Sequence, residues 1–292
     1  MTAIVSTLTS LPFTQLRRNR YFYLWYDGFY AAVCVVLLAA MRFGHHAPIL
    51  EHWDARYWIL LPFVCHAQIL CSVWIHNATH NNFPRPLNRL VGEICGVVVL
   101  TRFASWEVVH QRHHRYSDET DRDPHPVGSS YWTFLVQTVV NVEHQLQRIY
   151  FDLYGDTPAN HRYERLRAYV SYATNLLLIY TWYVFLGPLA FFFFFVPATV
   201  IGFLHLVHFN WSTHNAFSPA RDFRPVNIDV GYYRVGNWLW HGIYMHENHH
   251  QRTNLFNPSR MKDGAATIIP GELAPPPRCR SFRTVERSTR AR

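Results

Sequence analysis

The sequence predicts an all-α integral membrane protein, with four transmembrane helices under a cytoplasmic helical cap. Three observations predict it. Hydrophobic residues make up 49% of the 292 residues and charged residues only 16%, where an average soluble domain carries roughly 25% charged. The apolar residues collect into runs long enough to cross hydrocarbon, which takes a helix of about 20 residues. Eight of the 19 histidines fall into three spaced groups beside those runs.

Taken in order, residues 1–20 form an N-terminal segment that ends in the Arg17-Arg18-Asn19-Arg20 cluster. The first span covers 21–41, with Asp27 as its one charged residue, and the second covers 57–75, between Arg56 and His76. Residues 168–209 are one apolar run, too long for a single crossing. Gly187-Pro188 breaks it, because proline does not continue the preceding helix, giving spans 168–186 and 189–209. Two shorter apolar stretches, Leu87 to Phe103 and Tyr131 to Val140, fit half-buried helices along the membrane surface better than two extra spans. The membrane domain thus runs over 21–260. The Arg- and Pro-rich tail 261–292 has no apolar periodicity and is expected to be disordered.

Four spans place both termini on one side. With them lies the segment from His76 to Arg167, which carries Arg85, Arg89, Arg102, Arg112, Arg115, Arg122, Arg148, Arg162, Arg165 and Arg167. The positive-inside rule makes that side cytoplasmic. The net charge of +8 is therefore expected on membrane-flanking loops. No basic helix suited to a nucleic-acid groove is present, so nucleic acid is excluded as a partner. Lys262 is the only lysine, a codon bias that points to a bacterial cytoplasmic (inner) membrane. The N-terminus lacks the order of a cleaved signal peptide, so insertion is expected to use the spans themselves.

Of the five cysteines, Cys34, Cys65, Cys71 and Cys95 sit in apolar stretches, and none, Cys279 included, forms a C-x-x-C pair. Neither a disulfide framework nor a thiolate metal site is expected. The histidines are ordered differently. His76 and His80 form H-x-x-x-H; His110, His113 and His114 form H-x-x-H-H; His246, His249 and His250 repeat that triplet. At this histidine content one such triplet arises by chance about 0.08 times per chain. Residues at i, i+3 and i+4 share a helix face, so each box can aim its imidazoles at one point. Imidazole suits iron, copper, nickel and zinc. A closed structural zinc site needs four ligands, so eight histidines imply at least two metals, beside apolar spans. A lone histidine of this kind would ordinarily be a surface or satisfied core residue; three spaced groups on one membrane face are not explained that way.

These boxes, flanking two pairs of spans, resemble the membrane fatty acid desaturase superfamily. Glu119-Thr120-Asp121-Arg122-Asp123-Pro124-His125 and Asn210-Trp211-Ser212-Thr213-His214 resemble segments of its acyl-CoA and acyl-lipid desaturases. The likeness covers roughly residues 20 to 260. Departures are a first box with three residues between its histidines and an H-E-N-H-H third box.

The resemblance implies a di-iron site with His76, His80, His110, His113, His114, His214, His246, His249 and His250 as ligands. It adds Asn210 as a weaker ligand acting through water, with a helix cap at the membrane edge as the alternative. Asp118, Glu119, Asp121 and Asp123 would hold ligating imidazoles from behind, or simply stop a helix before Pro124. His205, His208 and His66 read as hydrogen-bonded helix histidines. The implied activity is an O2-dependent di-iron oxidase that puts a double bond into a lipid acyl chain. Alternatives are a hydroxylase, ketolase or acetylenase acting on another apolar substrate, or a non-catalytic membrane metal- or haem-binding protein. Electrons would come from an external donor, a ferredoxin or b-type cytochrome with its reductase, drawn to an Arg-rich face.

Overall fold

A computed structural model describes residues 12–117, 119, 122–125, 130–216 and 224–269, with side chains at all of these except 215 and 216. Residues 1–11, Asp118, Asp121 and most of the expected tail, with Cys279, lie outside the described residues. The chain is mostly helical. In order come α1 (Pro12–Arg18), α2 (Phe22–Phe43), a 3-10 turn (Ala55–Leu60), α3 (Leu61–Thr79), α4 (Leu87–Val98), α5 (Phe103–Arg115), α6 (Tyr131–Tyr154), α7 (Pro158–Ala190) and α8 (Val196–Trp211). Then follow β1 (Asn227–Ile228), α9 (Gly231–Leu239), α10 (His246–Gln251) and β2 (Thr267–Ile268), which pairs in parallel with β1. β2 falls inside the stretch 261–292. Local signals start the helices: Ser130 caps α6 by accepting from the Thr133 N–H, and Thr157 caps α7, whose first residue is Pro158.

Three helical stretches among the described residues are long and apolar enough to cross a membrane: Phe22–Phe43, Ala55–Thr79 and Pro158–His214. The third is interrupted at Gly187, with φ 76° and ψ 164°, a conformation open essentially to glycine alone. Trp182 and Phe195 would stand about 20 Å apart on one straight helix, yet their rings stack with centroids 5.0 Å apart. The chain doubles back at Gly187, so α7 and α8 form a hairpin. α2 packs along α7, while α3 packs against both α4 and α8.

Leu87 to Phe103 is not one helix along a surface, as the sequence suggested. α4 stops at Val98 and α5 begins at Phe103, and the intervening Leu100 has φ 57°. α4 runs antiparallel to α3: Asn88 donates to the Ala78 carbonyl near one end, and Gln68 donates to the Val98 carbonyl near the other. Gln68 lies about 16 Å along the helix from the end of α3, so the tip of α4 reaches deep between the apolar helices. Helix-end carbonyls there need protein donors, since hydrocarbon offers none. Trp182 Nε1 donates to the Val97 carbonyl at 3.1 Å and Gln68 to Val98 at 3.2 Å. Side chains of α3 and α7 thus satisfy both carbonyls at the tip of α4.

The arginines also divide differently from expectation. Arg89, Arg102 and Arg167 are buried or nearly so and paired: Arg89 with Glu93 and Glu107, Arg102 with Asp27, and Arg167 with Glu143 and Glu164. They are interior ties, because a charge leaves water only with a partner. Asp27, a lone charge within an apolar span in the sequence, is matched in this way.

Gly187→Ala should test the hairpin. A Cβ there would lie 2.3 Å from Pro48 Cβ in a backbone region costing about 1–3 kcal/mol. The variant is expected to unfold at a lower temperature in detergent than the wild type, whereas Gly28→Ala, whose Cβ meets nothing within 4 Å, should not.

Candidate metal centre

The histidine boxes sit where helices end. His76 lies in the last turn of α3 and His80 caps it; His110, His113 and His114 lie on α5; His246, His249 and His250 form α10. His214 lies in the π-helical turn Ser212–Ala216 that follows α8. These nine form two groups, each with ligand atoms within 4.8 Å of one another. The first comprises His76, His80, His110, His114 and His249; the second His113, His214, His246 and His250. The groups are neighbours, for the His114 and His250 rings lie 4.3 Å apart. Each could hold a metal ion.

A triplet does not aim at one point, as the spacing had suggested. Each H-x-x-H-H gives its i and i+4 members to one group and its i+3 member to the other. At 3.6 residues per turn, i+4 lies about 40° to one side of i and i+3 about 60° to the other. One helix therefore reaches both sites. α5 and α10 do so in opposite senses.

Nitrogen chemistry shows why these groups fit metal. His110 Nε2 stands 3.0 Å from both His80 Nε2 and His114 Nε2, and His114 Nε2 stands 3.0 Å from His249 Nε2. A neutral ring nitrogen carries one proton or one lone pair, so hydrogen bonds cannot satisfy every contact in that chain. His76 Nε2 and both ring nitrogens of His246 are buried with no hydrogen-bond partner among the described residues, an expensive arrangement that a shared cation would relieve. The donor set is imidazole throughout, with no thiolate or carboxylate in either group, which suits a first-row metal such as iron, copper, nickel or zinc.

Burial also sets the protonation. It pushes His114 down to about 3 and holds His110, His113, His246, His249 and His250 well below the usual histidine range, with the neighbouring imidazoles adding to the effect. Desolvation disfavours the cation, so these rings stay neutral near pH 7. Metal binding requires that form.

Surrounding residues hold the rings in place. Both Asp123 oxygens accept from His113 Nδ1, at 2.9 and 3.1 Å, which leaves its Nε2 as the lone pair. Asp123 also accepts from the His125 N–H at 2.8 Å, and the His125 ring meets His113 edge-on at 4.3 Å. Glu119 instead pairs with Arg122 on the surface. Asn210 donates to the Leu206 carbonyl of its own helix, and His66, His205 and His208 lie outside both groups. His66 accepts from Trp240 Nε1, and His205 meets the Tyr244 hydroxyl.

Sequence reasoning missed several supports. Trp106 stacks flat against His110, with centroids 5.3 Å apart at 10°. Gln111 donates to the Thr79 carbonyl and ties α5 to the end of α3. Asn248, inside the third box, accepts from Asn227 and the Ala265 N–H and donates to the Pro258 carbonyl, while its own N–H donates to Asn227. The asparagine that makes this box unusual was the available signal. A six-residue helix needs such anchoring, since short helices are marginal alone.

The sequence matches the family model described as fatty acid desaturase over residues 52–255. No curated protein and no solved structure matches it.

Two outcomes follow from the geometry. Asp123→Asn should weaken metal binding about 10- to 100-fold, measured as metal retained against a graded chelator. Metal-stripped protein should lose stability as pH falls below about 6.5. There the unfolded chain takes up protons that the neutral folded histidines refuse, down to about 3 for His114. The slope approaches about 1.4 kcal/mol per pH unit for each such histidine, and unfolding midpoints between pH 7.5 and 5.5 would show it. A flat profile would contradict neutral, buried rings.

Proposed function

The chain belongs to the fatty acid desaturase family, and from that we propose an O2-dependent di-iron oxidase that introduces a double bond into a lipid acyl chain. The observation that carries the reading is the pair of adjacent, buried, all-imidazole groups at the ends of apolar helices. His76, His80, His110, His114 and His249 would hold one iron, and His113, His214, His246 and His250 the other. Iron bound there supplies the capacity to activate dioxygen and to break an unactivated C–H bond. The balance is one dioxygen, two electrons and two protons taken up, two hydrogens removed from adjacent carbons, and two waters released.

What the chain's residues contribute is orientation and exclusion of water. Asp123 fixes the tautomer and tilt of His113, and Trp106 blocks rotation of His110. Asn227 and Asn248 set the register of α10. A narrow cleft of about 10 Å³, lined by Ile69, Ser72, Val73, His205, Leu206, Phe209 and Ile243, adjoins His76. Holding one carbon pair at the site is a positioning task. Asn210 reaches a metal only through water in this reading.

The protein would cross the membrane four times, with the α7–α8 hairpin supplying two crossings and the site on the cytoplasmic face of a bacterial inner membrane. Exposed Arg17, Arg18, Arg115, Arg122, Arg162 and Arg165 support an acidic one-electron carrier, a ferredoxin or b-type cytochrome, as the donor.

The test is product mass from iron-loaded protein supplied with reductant, O2 and lipid. Loss of two hydrogens is expected; gain of one oxygen would assign a hydroxylase instead. His113→Ala and His249→Ala should each abolish turnover and lower bound iron, reading out one group apiece. Protein that carries zinc or haem and consumes no O2 with reductant would sink the reading.

A further inference from the structure

Arg20 differs from the other arginines that are at least partly buried. Arg89, Arg102, Arg112 and Arg167 each face a carboxylate. Arg20 is held by neutral groups instead. Its Nε and Nη2 donate to the Tyr150 hydroxyl at 3.2 and 3.1 Å, and Nη2 also donates to Asn160 Oδ1 at 2.6 Å. Tyr150 and Asn160 are themselves buried, so the guanidinium is fixed in one pose where α1 gives way to α2, and Nη1 is left over.

The carboxylates of the neighbouring elements are already engaged. Asp156 contacts His161, Asp152 lies against Arg112, and Glu143 and Glu164 share Arg167. Exposed Arg17, Arg18, Arg162 and Arg165 make no ion pair among the described residues, and residues 1–11 contain no acidic side chain. Against these four and Arg20 stand only Asp156 and the second carboxylate at Arg167, so the corner carries a positive excess.

Its height is set by what lies below it. The outward face of α7 runs from Arg162 and Arg165 to Tyr169 and Tyr172, all exposed. Beside it, Arg17 and Arg18 are followed by exposed Tyr21 and Trp25. Tyr21 meets Tyr163 edge-on with centroids 5.4 Å apart, which sets the two helices side by side at that level. Both continue as membrane-crossing candidates. Cations followed by an aromatic collar and then an apolar helix mark the headgroup layer of a bilayer.

We propose that Arg20 is the phosphate-binding residue of a site for one anionic phospholipid. A guanidinium fork matches phosphate geometry, and the surrounding arginines favour a headgroup of net negative charge over a zwitterion. Tyr21 and Trp25 lie where the acyl chains begin. The site is separate from the histidine groups and does not depend on which reaction they perform.

The test uses full-length protein stripped of lipid in detergent. Phosphatidylglycerol is expected to shield Arg20 from phenylglyoxal, read by mass spectrometry of its peptide, where phosphatidylcholine at the same concentration does not. Arg20→Gln should weaken phosphatidylglycerol binding about fivefold in native mass spectrometry, whereas Arg85→Gln, at an exposed arginine before α4, should leave it unchanged. Shielding is read on the wild type and so decides the matter even where the variant does not fold. Equal shielding by phosphatidylcholine would overturn the proposal, and equal shielding by inorganic phosphate would assign the site to free phosphate instead. Shielding by an acidic ferredoxin but not by lipid would assign it to a protein partner. Undiminished lipid binding in folded Arg20→Gln, or equal weakening in Arg85→Gln, would also sink it.

Discussion

Nine imidazoles must stay buried and convergent, and much of the architecture serves that condition. Protonating neighbouring rings at 3.0 Å would set like charges against each other in a poorly polarisable interior. The rings on α5 and α10 are kept neutral by burial, and burial requires apolar helices to deliver them to one place. α3 and α8 bring His76, His80 and His214 up from the membrane side, while α5 and α10 cross above and reach both groups. No single element could build this centre, because one helix offers at most one i, i+4 pair to a given point.

The sequence made the broad plan legible because its strongest signals are one-dimensional. Apolar run length marks α2, α3 and the α7–α8 stretch, and Gly187-Pro188 marks the hairpin where a glycine-only backbone angle is used. The histidine spacing likewise flags which residues matter. What could not be read was partnership across distance. Arg89, Arg102 and Arg167 look like loop charge until Glu93, Glu107, Asp27, Glu143 and Glu164 are seen beside them. The splitting of each triplet between two groups was in principle derivable from helical pitch, but only once a second point to aim at was known.

α4 shows the same limit in a more instructive form. Its apolar face and its interruption at Glu93 suit a helix lying on a surface, and nothing local distinguishes that from insertion. The deciding features are Gln68 and Trp182, distant in sequence, whose side chains satisfy the carbonyls at its deep end. A polar residue in the middle of an apolar span, such as Gln68 in α3, is the available hint. It marks where another backbone arrives.

That arrangement imposes an order on biosynthesis. The Val97 carbonyl obtains its donor from Trp182, a residue translated 85 positions later, which at about 5–20 residues per second is a delay of about 4–17 s. Until then the tip of α4 has no complete seat, and α5, which carries the second histidine box, hangs from it. Both histidine groups are complete only once α10 has been made and has joined α5, so a metal ion can find them whole only after that stage.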